Sequence, residues 1–271
     1  MRIATYNLCN STCNWHERLY AIVEEIASLE ADVVAMQEAP SQVLESSSFV
    51  QFFKETTDYL EVSHLSYPEE ENEGLRSEGL AILSRLPVRD VRTNWENNAL
   101  TENNWAARVT LEWSGVSLSL TNVHLDWENA RSRQRYIARI VSELIDSCST
   151  DYDILCGDFN EGSQGAISQM LQQQTTMQDY NTQWTDLAVL AYSALGQSPP
   201  STLISNIDSS EGTLDGESSD RRFDRIYLRA NDKAEPRVSG AGLFGMGSNG
   251  RMIVPSDHYG VYVDIDWNEE A

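Results

Sequence analysis

The sequence is short of basic residues and of long apolar runs. Its 271 residues include 42 Asp or Glu but only 19 Lys or Arg, and the formal net charge is −23 at pH 7. A surface of this sign repels polyanions, which disfavours non-specific binding to DNA or to anionic membranes. No run approaches the ~18 apolar residues that a spanning helix needs, so we predict no membrane span. The acidity reflects either a need for solubility, as in a salty environment, or local acidic clusters that hold divalent cations, and both explanations can hold together.

Cysteine is also scarce, and its spacing fits neither a disulfide scaffold nor a zinc site. The four cysteines are Cys9, Cys13, Cys148 and Cys156, and no histidine lies at a metal-site interval from them. The first segment, MRIATYNLCN, has no basic region leading into an apolar one, so we expect no signal peptide. These features predict reduced thiols and a cytoplasmic location, with the nucleus as the alternative for a eukaryotic source.

Strand-like and helix-like segments alternate along the chain. Apolar residues at helical spacing predict helices over 15–29 (with Asn14 as the N-cap), 130–147 and 163–174. Short apolar or alternating runs predict strands at 3–7, 32–38, 79–84, 106–113, 116–125, 151–157, 221–229 and 257–267. A turn at 114–115 predicts a hairpin, and Ser-, Gly- and Pro-rich composition predicts loops over 193–220 and 239–250. No linker separates two cores, so we predict one mixed α/β domain over residues 1–271.

Polar residues recur where the predicted strands end or begin. They are Asn7, Glu38, His124, Asp158 with Asn160, Asp224, and Asp257 with His258. A strand end that a core supports from behind is a rigid mount for a side chain. Carboxylates and amides on several such mounts can converge on one point, which suits a hard cation such as Mg²⁺.

Each of these residues also has an ordinary structural explanation. Asn7 could be a turn residue, the GDFN segment (157–160) could be an Asx turn, and the histidine of SDHYG (256–260) could be structural. Glu38 is harder to explain, because an apolar run that ends in Gln-Glu-Ala-Pro must put its carboxylate near the sheet edge. The joint occurrence of these features in one order favours a functional site.

Five short motifs resemble the endonuclease/exonuclease/phosphatase superfamily, which includes deoxyribonuclease I. They are TYN (5–7), MQE (36–38), NVHL (122–125), GDFN (157–160) and SDH (256–258), and the resemblance runs from residue 3 to about residue 265. It implies a four-layer αββα sandwich, in which two mixed or mostly antiparallel sheets face each other and helices lie outside. It also implies a metal-dependent phosphoester hydrolase that uses Mg²⁺, with Mn²⁺ as the alternative ion, and whose active site lies at one open edge.

The resemblance further implies roles for individual residues. Glu38 and Asn7 are the implied metal ligands, and Asp257 adds a direct or water-mediated contact. His258, oriented by Asp224, is one candidate for the general base or a phosphate partner. Asp158 is the rival candidate for the base.

The remaining implied roles concern the phosphate and the leaving group. Asn160 orients the nucleophile or donates to phosphate, because alternation in an extended chain puts it beside Asp158 while Phe159 turns into the core. His124 stabilises the pentavalent state or aids the leaving group. Glu78 lies where the nuclease branch pairs a glutamate with this histidine, and Asn122 fits the phosphate-contact position.

The C-terminal third is most similar to the magnesium-dependent tyrosyl-DNA phosphodiesterase branch, through residues 220–230, 240–247 and 254–265. An arginine of that branch falls at Asn129, and Arg131 and Arg135 are the predicted substitutes for substrate binding. We therefore predict a monomeric phosphodiesterase that acts on DNA ends such as 5′-phosphotyrosyl adducts. The alternatives are a phosphatase or phosphodiesterase of a small phosphorylated molecule, which the acidity supports, a general nuclease of the same superfamily, or a binding module without catalysis.

Overall fold

The computed structural model describes residues 1–10, 13–44, 47–68, 77–96, 101–172, 183–204, 221–247 and 253–267. Two six-stranded sheets face each other, and helices cover their outer sides. This confirms the four-layer arrangement expected from the sequence. Among the described residues, no helix combines the length and the apolar character that crossing a membrane requires.

The first sheet is built around the N-terminal strand. Its strands, in spatial order, are β13 (Arg237–Phe244), β14 (Gly260–Asp266), β1 (Arg2–Asn7), β2 (Val33–Pro40), β6 (Glu78–Ser84) and β5 (Glu61–Ser66). β1 runs parallel to β2 and antiparallel to β14. The first and the last described strands of the chain are therefore neighbours in this sheet.

The second sheet contains the predicted hairpin. Its strands, in spatial order, are β11 (Thr185–Asp186), β12 (Asp224–Ala230), β10 (Tyr152–Asp158), β9 (Val116–His124), β8 (Trp105–Trp113) and β7 (Val88–Thr93). β8 and β9 pair antiparallel across the Ser114-Gly115 turn, as the sequence predicts. β9 and β10 are parallel, so the carboxyl ends of both strands lie at the same edge.

Helices form the outer layers. α1 (Trp15–Leu29) and α2 (Phe49–Thr56) cover the first sheet, next to a short ribbon of β3 (Gln42–Leu44) and β4 (Ser47–Ser48). α3 (Ala130–Arg139), its π-helical continuation (Ile140–Ile145) and α4 (Ala166–Leu171) cover the second sheet. α5 (Leu187–Ser193) packs against β12 and β13.

Strand alternation determines which side chains lie between the sheets. On β10, Ile154 and Cys156 point into the layer between the sheets, whereas Leu155 packs toward the helices. Asp158 is the next residue of β10 that points inward. On β1, Ile3 and Thr5 point inward, and Asn7 at the end of the strand follows the same alternation. The layer between the sheets thus changes from apolar to polar at one end, and this end carries the candidate site.

The structure corrects several local predictions. Asn14 has a left-handed backbone with φ of 49°, and its side chain makes no capping hydrogen bond to α1. The glycine-rich segment predicted as a loop is strand β13 as far as Phe244, because pairing with β14 outweighs the low strand propensity of glycine. The predicted 130–147 helix is α-helical only to Arg139 and then π-helical. Residues 205–220 and 248–250 of the predicted loops lie outside the described residues.

Gly157, just before Asp158, is a position where only glycine fits. Its φ is 136°, and a Cβ added there would lie 2.0 Å from the backbone oxygen of Val123. We expect Gly157→Ala to lower the free energy of unfolding by more than about 3 kcal/mol, because it combines a disfavoured backbone conformation with a clash against backbone.

Gly115→Ala is the matched control for this prediction. Gly115 also has a positive φ, of 82°, but nothing lies within 4 Å of an added Cβ. Gly115→Ala is expected to lower the free energy of unfolding by only about 1 kcal/mol, which is the cost of the left-handed backbone conformation alone. Urea unfolding followed by circular dichroism measures both values, and equal losses would contradict the steric explanation.

Candidate active site

Glu38 reaches the site from an irregular position in β2. The pairing of β2 with β6 shifts register between Met36 and Ala39, and Glu38 there has a left-handed backbone with φ of 52°. Such a conformation is costly for a residue with a Cβ and concentrates at functional sites. The bulge turns the Glu38 carboxylate toward the segment that follows β1, where Asn10 N donates to its Oε2 at 3.0 Å.

Asn7 links the two sheets through its side-chain amide. Its Nδ2 donates to Glu38 Oε1 at 2.9 Å and to Asp158 Oδ2 at 3.0 Å. Glu38 belongs to the first sheet and Asp158 to the second. Two carboxylates that the chain separates by more than a hundred residues therefore meet at one point.

Two histidines face Asp158, and one of them also faces Glu38. His124 Nε2 lies 3.8 Å from Glu38 Oε1 and 4.0 Å from Asp158 Oδ2. His258 Nε2 lies 3.9 Å from that same Asp158 oxygen. The structure thus brings together five of the residues predicted from the sequence, including Asn7.

Asp224 holds the ring of His258 from behind. The distance between His258 Nδ1 and Asp224 Oδ2 is 2.8 Å, and the Asp224 side chain is fully buried. Thr202 Oγ1 accepts from the backbone N of Asp224 at 3.1 Å, and Ser256 Oγ accepts from the backbone N of His258 at 3.2 Å. The predicted histidine–carboxylate pair is therefore formed on a rigid support.

The surroundings of His258 favour its charged form. Burial acts to lower the pKa of His258, but the negative charges of Asp224 and Asp158 outweigh it and raise the pKa well above its ordinary value. An imidazolium between two carboxylates can donate from Nε2 to a phosphoryl oxygen.

This pKa shift predicts how stability depends on pH. A group whose pKa is higher in the fold than in the unfolded chain stabilises the fold fully below the unfolded pKa, about 6.5, and less as pH rises through the folded pKa. In metal-free protein, the free energy of unfolding of the wild type relative to His258→Gln should therefore fall as pH rises from about 6 to 9. Urea titrations at several pH values test this.

The Asp224→Asn variant provides the control for the pH series. It removes the carboxylate that contacts His258 Nδ1 and keeps the size of the side chain. In this background the His258→Gln difference should depend much less on pH. A difference that is constant with pH in the wild-type background would contradict the assignment.

Asn160 differs from the expected extended geometry. β10 ends at Asp158, and Asn160 has a left-handed backbone with φ of 48°. Its backbone N donates to Asp158 Oδ1 at 2.8 Å, and its Nδ2 donates to Leu125 O at 2.8 Å. Phe159 is fully buried, as predicted. The segment is therefore an Asx-type turn that fixes the Asp158 carboxylate, and the strand alternation does not continue through it.

Glu78 and His124 have partners other than each other. Glu78 Oε2 accepts from Asn10 Nδ2 at 3.0 Å, and the hydroxyl of Tyr67 lies 3.2 Å from His124 Nδ1. Burial raises the pKa of Glu78, and the nearby charge of Glu38 raises it further. The expected Glu78–His124 hydrogen bond is absent among the described residues, and Tyr67 takes that place.

Asn122 lies deeper than a phosphate contact would require. Its side chain is fully buried, its Nδ2 donates to Met36 O at 2.8 Å and to Ala81 O at 3.2 Å, and its Oδ1 accepts from Gln37 at 2.6 Å. These bonds join the two sheets directly beneath the site. A phosphate contact would require the side chain to leave these partners.

The remaining predicted residues are partly buried or exposed. Asp257 is partly buried next to His258, and its carboxylate accepts from Ser256 Oγ at 3.4 Å. Arg131 is exposed on the first turn of α3. Arg135 is also exposed, pairs with Glu102 and lies over the ring of Tyr136.

Arg18 supports the site, although none of the sequence motifs includes it. It is buried on α1, and its guanidinium donates to Leu8 O at 2.5 Å, Cys9 O at 2.7 Å and Pro255 O at 2.7 Å. It thereby ties the segment after β1 to the segment before His258. Its position three residues after Trp15, on the apolar stripe of the helix, is the sequence signal that could have revealed it.

A divalent cation fits the donors of this site. Glu38 and Asp158 supply carboxylates that converge on one amide, and carboxylate oxygens are hard ligands that suit Mg²⁺ or Mn²⁺. Among the described residues, Asp158, Asp224 and His258 also offer ligand atoms within 4.8 Å of one another. Glu38 has 27% of its side chain exposed, so the site is open to solvent on its side.

Comparison with known families identifies the chain. A sequence model of the Endonuclease/Exonuclease/phosphatase family matches residues 4–258. The chain belongs to this family. Its members are hydrolases that act on phosphoester bonds and generally depend on divalent metal ions, so the protein is a phosphoesterase. A comparison with curated proteins returned no match.

Solved structures share the fold of this phosphoesterase over nearly its whole length. D. rerio TDP2 complexed with a single-strand DNA product has a TM-score of 0.72 and 18% identity, covering 98% of this chain and 99% of that chain. The human Nocturnin catalytic domain with bound sulfate has a TM-score of 0.69 and 19% identity, covering 98% and 93%. A mannosyl-6-phosphatase from Bacteroides thetaiotaomicron has a TM-score of 0.66 and 15% identity, covering 98% and 100%. These likenesses concern the fold.

Proposed function

We propose that this phosphoesterase is a magnesium-dependent phosphodiesterase that acts on DNA ends such as 5′-phosphotyrosyl adducts. The observation that carries the proposal for the chemistry is the setting of one oxygen, Asp158 Oδ2. It lies 3.0 Å from Asn7 Nδ2, 4.0 Å from His124 Nε2 and 3.9 Å from His258 Nε2. A carboxylate between an amide and two imidazoles can accept a proton where the imidazoles can stabilise developing negative charge.

The metal ion would be held mainly by Glu38, with Asn7 and Asp257 beside it. When bound, it supplies positive charge that offsets the charge of the phosphate oxygens. The left-handed backbone of Glu38 presents its carboxylate at the open side of the cluster, where a hydrated ion can enter.

The protein's own side chains supply the general base and the hydrogen-bond donors of the proposed reaction. Asp158 is the proposed general base, because Asn160 N fixes its Oδ1 at 2.8 Å and leaves Oδ2 toward the site. His258, held by Asp224, donates to a phosphoryl oxygen, and His124 donates to a phosphoryl or leaving oxygen on the other side. Both histidines thus act as donors in this proposal, and the base is a carboxylate.

Two observations support a DNA end as the substrate. The fold matches D. rerio TDP2, whose solved complex holds a single-strand DNA product. An enzyme that recognises an end needs few phosphate contacts, which agrees with a net charge of −23. Arg131 and Arg135 stay the proposed contacts to the strand beyond the reacting phosphate.

A small phosphorylated molecule is the second candidate substrate. The acidic charge supports it, as does the engagement of surface arginine: Arg135 pairs with Glu102. The fold is also shared with a mannosyl-6-phosphatase. We further propose that the enzyme has a single domain and is a monomer. Light scattering after size-exclusion chromatography tests the monomeric state.

A substrate panel tests the proposal. The wild type and Asp158→Asn are assayed on a 5′-phosphotyrosyl oligonucleotide, a plain duplex, a hexose 6-phosphate and an aryl phosphodiester, each with Mg²⁺, with Mn²⁺ or with a chelator. We expect metal-dependent turnover that is fastest on the phosphotyrosyl oligonucleotide and weakens only gently with salt. Fastest turnover of the hexose phosphate would select the second candidate, and turnover that survives the chelator would refute metal dependence.

A further inference from the structure

Tyr67 is a residue next to the site to which neither the motifs nor the family assignment gives a role. It follows β5 directly, and its backbone N donates to Glu78 O at 2.9 Å. Its hydroxyl lies 3.2 Å from His124 Nδ1, on the side of the ring opposite the nitrogen that faces Glu38 and Asp158. The ring of His124 is thus held between a phenol and the carboxylate cluster.

Two tryptophans fix the ring of Tyr67. Trp105 stacks on it with a centroid distance of 4.5 Å and an interplanar angle of 13°, and Trp95 meets it edge-on at 5.8 Å. Trp105 is also the cross-strand neighbour of His124 in the β8–β9 hairpin, so both side chains leave the same face of the sheet. The hairpin therefore carries both the histidine and the surface that positions its partner.

The carboxylates that face Nε2 of His124 favour a proton on that nitrogen, which leaves Nδ1 as the acceptor in this hydrogen bond. Burial raises the pKa of Tyr67 well above its ordinary value, and the nearby carboxylates raise it further, so the hydroxyl keeps its proton. A neutral phenol that donates to Nδ1 leaves the imidazole proton on Nε2. Glu78, in contrast, would have stabilised a doubly protonated ring, but its carboxylate accepts from Asn10.

We propose that Tyr67 is the positioning residue for His124, whose Nδ1 accepts the phenolic proton so that Nε2–H points at the reacting phosphate. This inference rests on the proposed function for its kinetic consequence, although the hydrogen bond itself is independent of the substrate. Tyr67 acts only through His124 and does not touch the substrate.

Kinetics of Tyr67→Phe test the proposal. This variant keeps the stack on Trp105 and removes only the hydroxyl. We expect kcat on an aryl phosphodiester to fall about tenfold and KM to stay within about twofold, because one hydrogen bond that orients a donor is lost. In a His124→Ala background the same change should alter kcat by less than about twofold, since there is no ring left to position.

Tyr59→Phe is the matched control. Tyr59 is buried in the core on the helix side of the first sheet, and within the described part of the chain its hydroxyl has no hydrogen-bond partner. Its loss should change neither kcat nor KM. A Tyr67→Phe enzyme with kcat within about twofold of wild type, or with the same loss in the His124→Ala background, would overturn the proposal.

Imidazole nitrogen NMR separates this proposal from the proposed function. The chain has only four histidines, so the His124 signals can be assigned with single variants. We expect the Nε2–H tautomer in the wild type and a mixture of tautomers in Tyr67→Phe. An unchanged tautomer overturns the role of Tyr67 even if the enzyme is active. An enzyme inactive on every phosphoester, but with the expected tautomer shift, would refute the proposed function and retain the Tyr67–His124 pair.

Discussion

The Asp158→Asn variant is expected to lose at least about a hundredfold in kcat while it stays folded. The substitution keeps the shape of the side chain and removes its ability to accept a proton. It also removes the negative charge that lies between His124 and His258, whose Nε2 atoms are 4.0 and 3.9 Å from Asp158 Oδ2. Steady-state kinetics on the best substrate of the panel, with the thermal midpoint measured in parallel, give the result.

Asp153 provides the control for this variant on the same strand. It is as deeply buried as Asp158, at 1% exposure, but lies five positions earlier on β10 and outside the catalytic cluster. Asp153→Asn should lower stability and keep the kcat of the folded enzyme. If Asp158→Asn keeps more than about a tenth of the wild-type kcat, Asp158 is not the base and His258 becomes the candidate.

The second large effect concerns stability. Asp153→Ala is expected to lower the free energy of unfolding by about 3–5 kcal/mol, because it removes the buried partner of Arg229 and takes the shared acceptor from several other buried donors. The Asp153 carboxylate accepts from Arg229 Nη2 at 2.6 Å, from Asn231 Nδ2 at 2.7 Å and from Thr150 Oγ1 at 2.8 Å, and it also accepts from Ser119 Oγ. Urea unfolding at neutral pH measures the change.

Asp146 allows a test of whether burial is the cause. It pairs with the same guanidinium of Arg229 at 2.8 Å, but its side chain is 33% exposed where that of Asp153 is 1% exposed. Water can replace this partner, so Asp146→Ala should cost less than about 1 kcal/mol. Similar losses in both variants would show that the network does not depend on burial.

The sequence predicted the elements whose apolar pattern agrees with their final environment. β2 and β10 are short apolar runs buried on both faces, and α1 has a clear apolar stripe, so run length predicted the strands and periodicity predicted the helix. β13 could not be predicted this way, because Gly240 and Gly242 lower its strand propensity. Gly242 lies against Tyr262 of the neighbouring strand β14, since an added Cβ would be 2.7 Å from the Tyr262 hydroxyl. Contacts with β14 therefore determine that this segment is a strand, and its own propensity does not.

The site was predictable as a set of residue types and not as a set of contacts. Motif order pointed to Glu38, Asp158 and His258, and the structure places all three around one cluster. The partner of His124 could not be read from the sequence, because Tyr67 follows a strand of the first sheet and His124 ends a strand of the second, so only the packing of the two sheets brings them together. The structural use of Asn122 was hidden for the same reason, since its partners lie on the opposite sheet.

The pairing of β1 with β14 has a consequence for biosynthesis. Asn7 leaves the ribosome long before His258 and the segment that Arg18 binds. In a nascent chain, one edge of β1 therefore stays unpaired until β14 has also been synthesised. Translation that terminates before residue 258 would yield a product that lacks His258 and has an unpaired, aggregation-prone strand edge, which a cell would have to degrade.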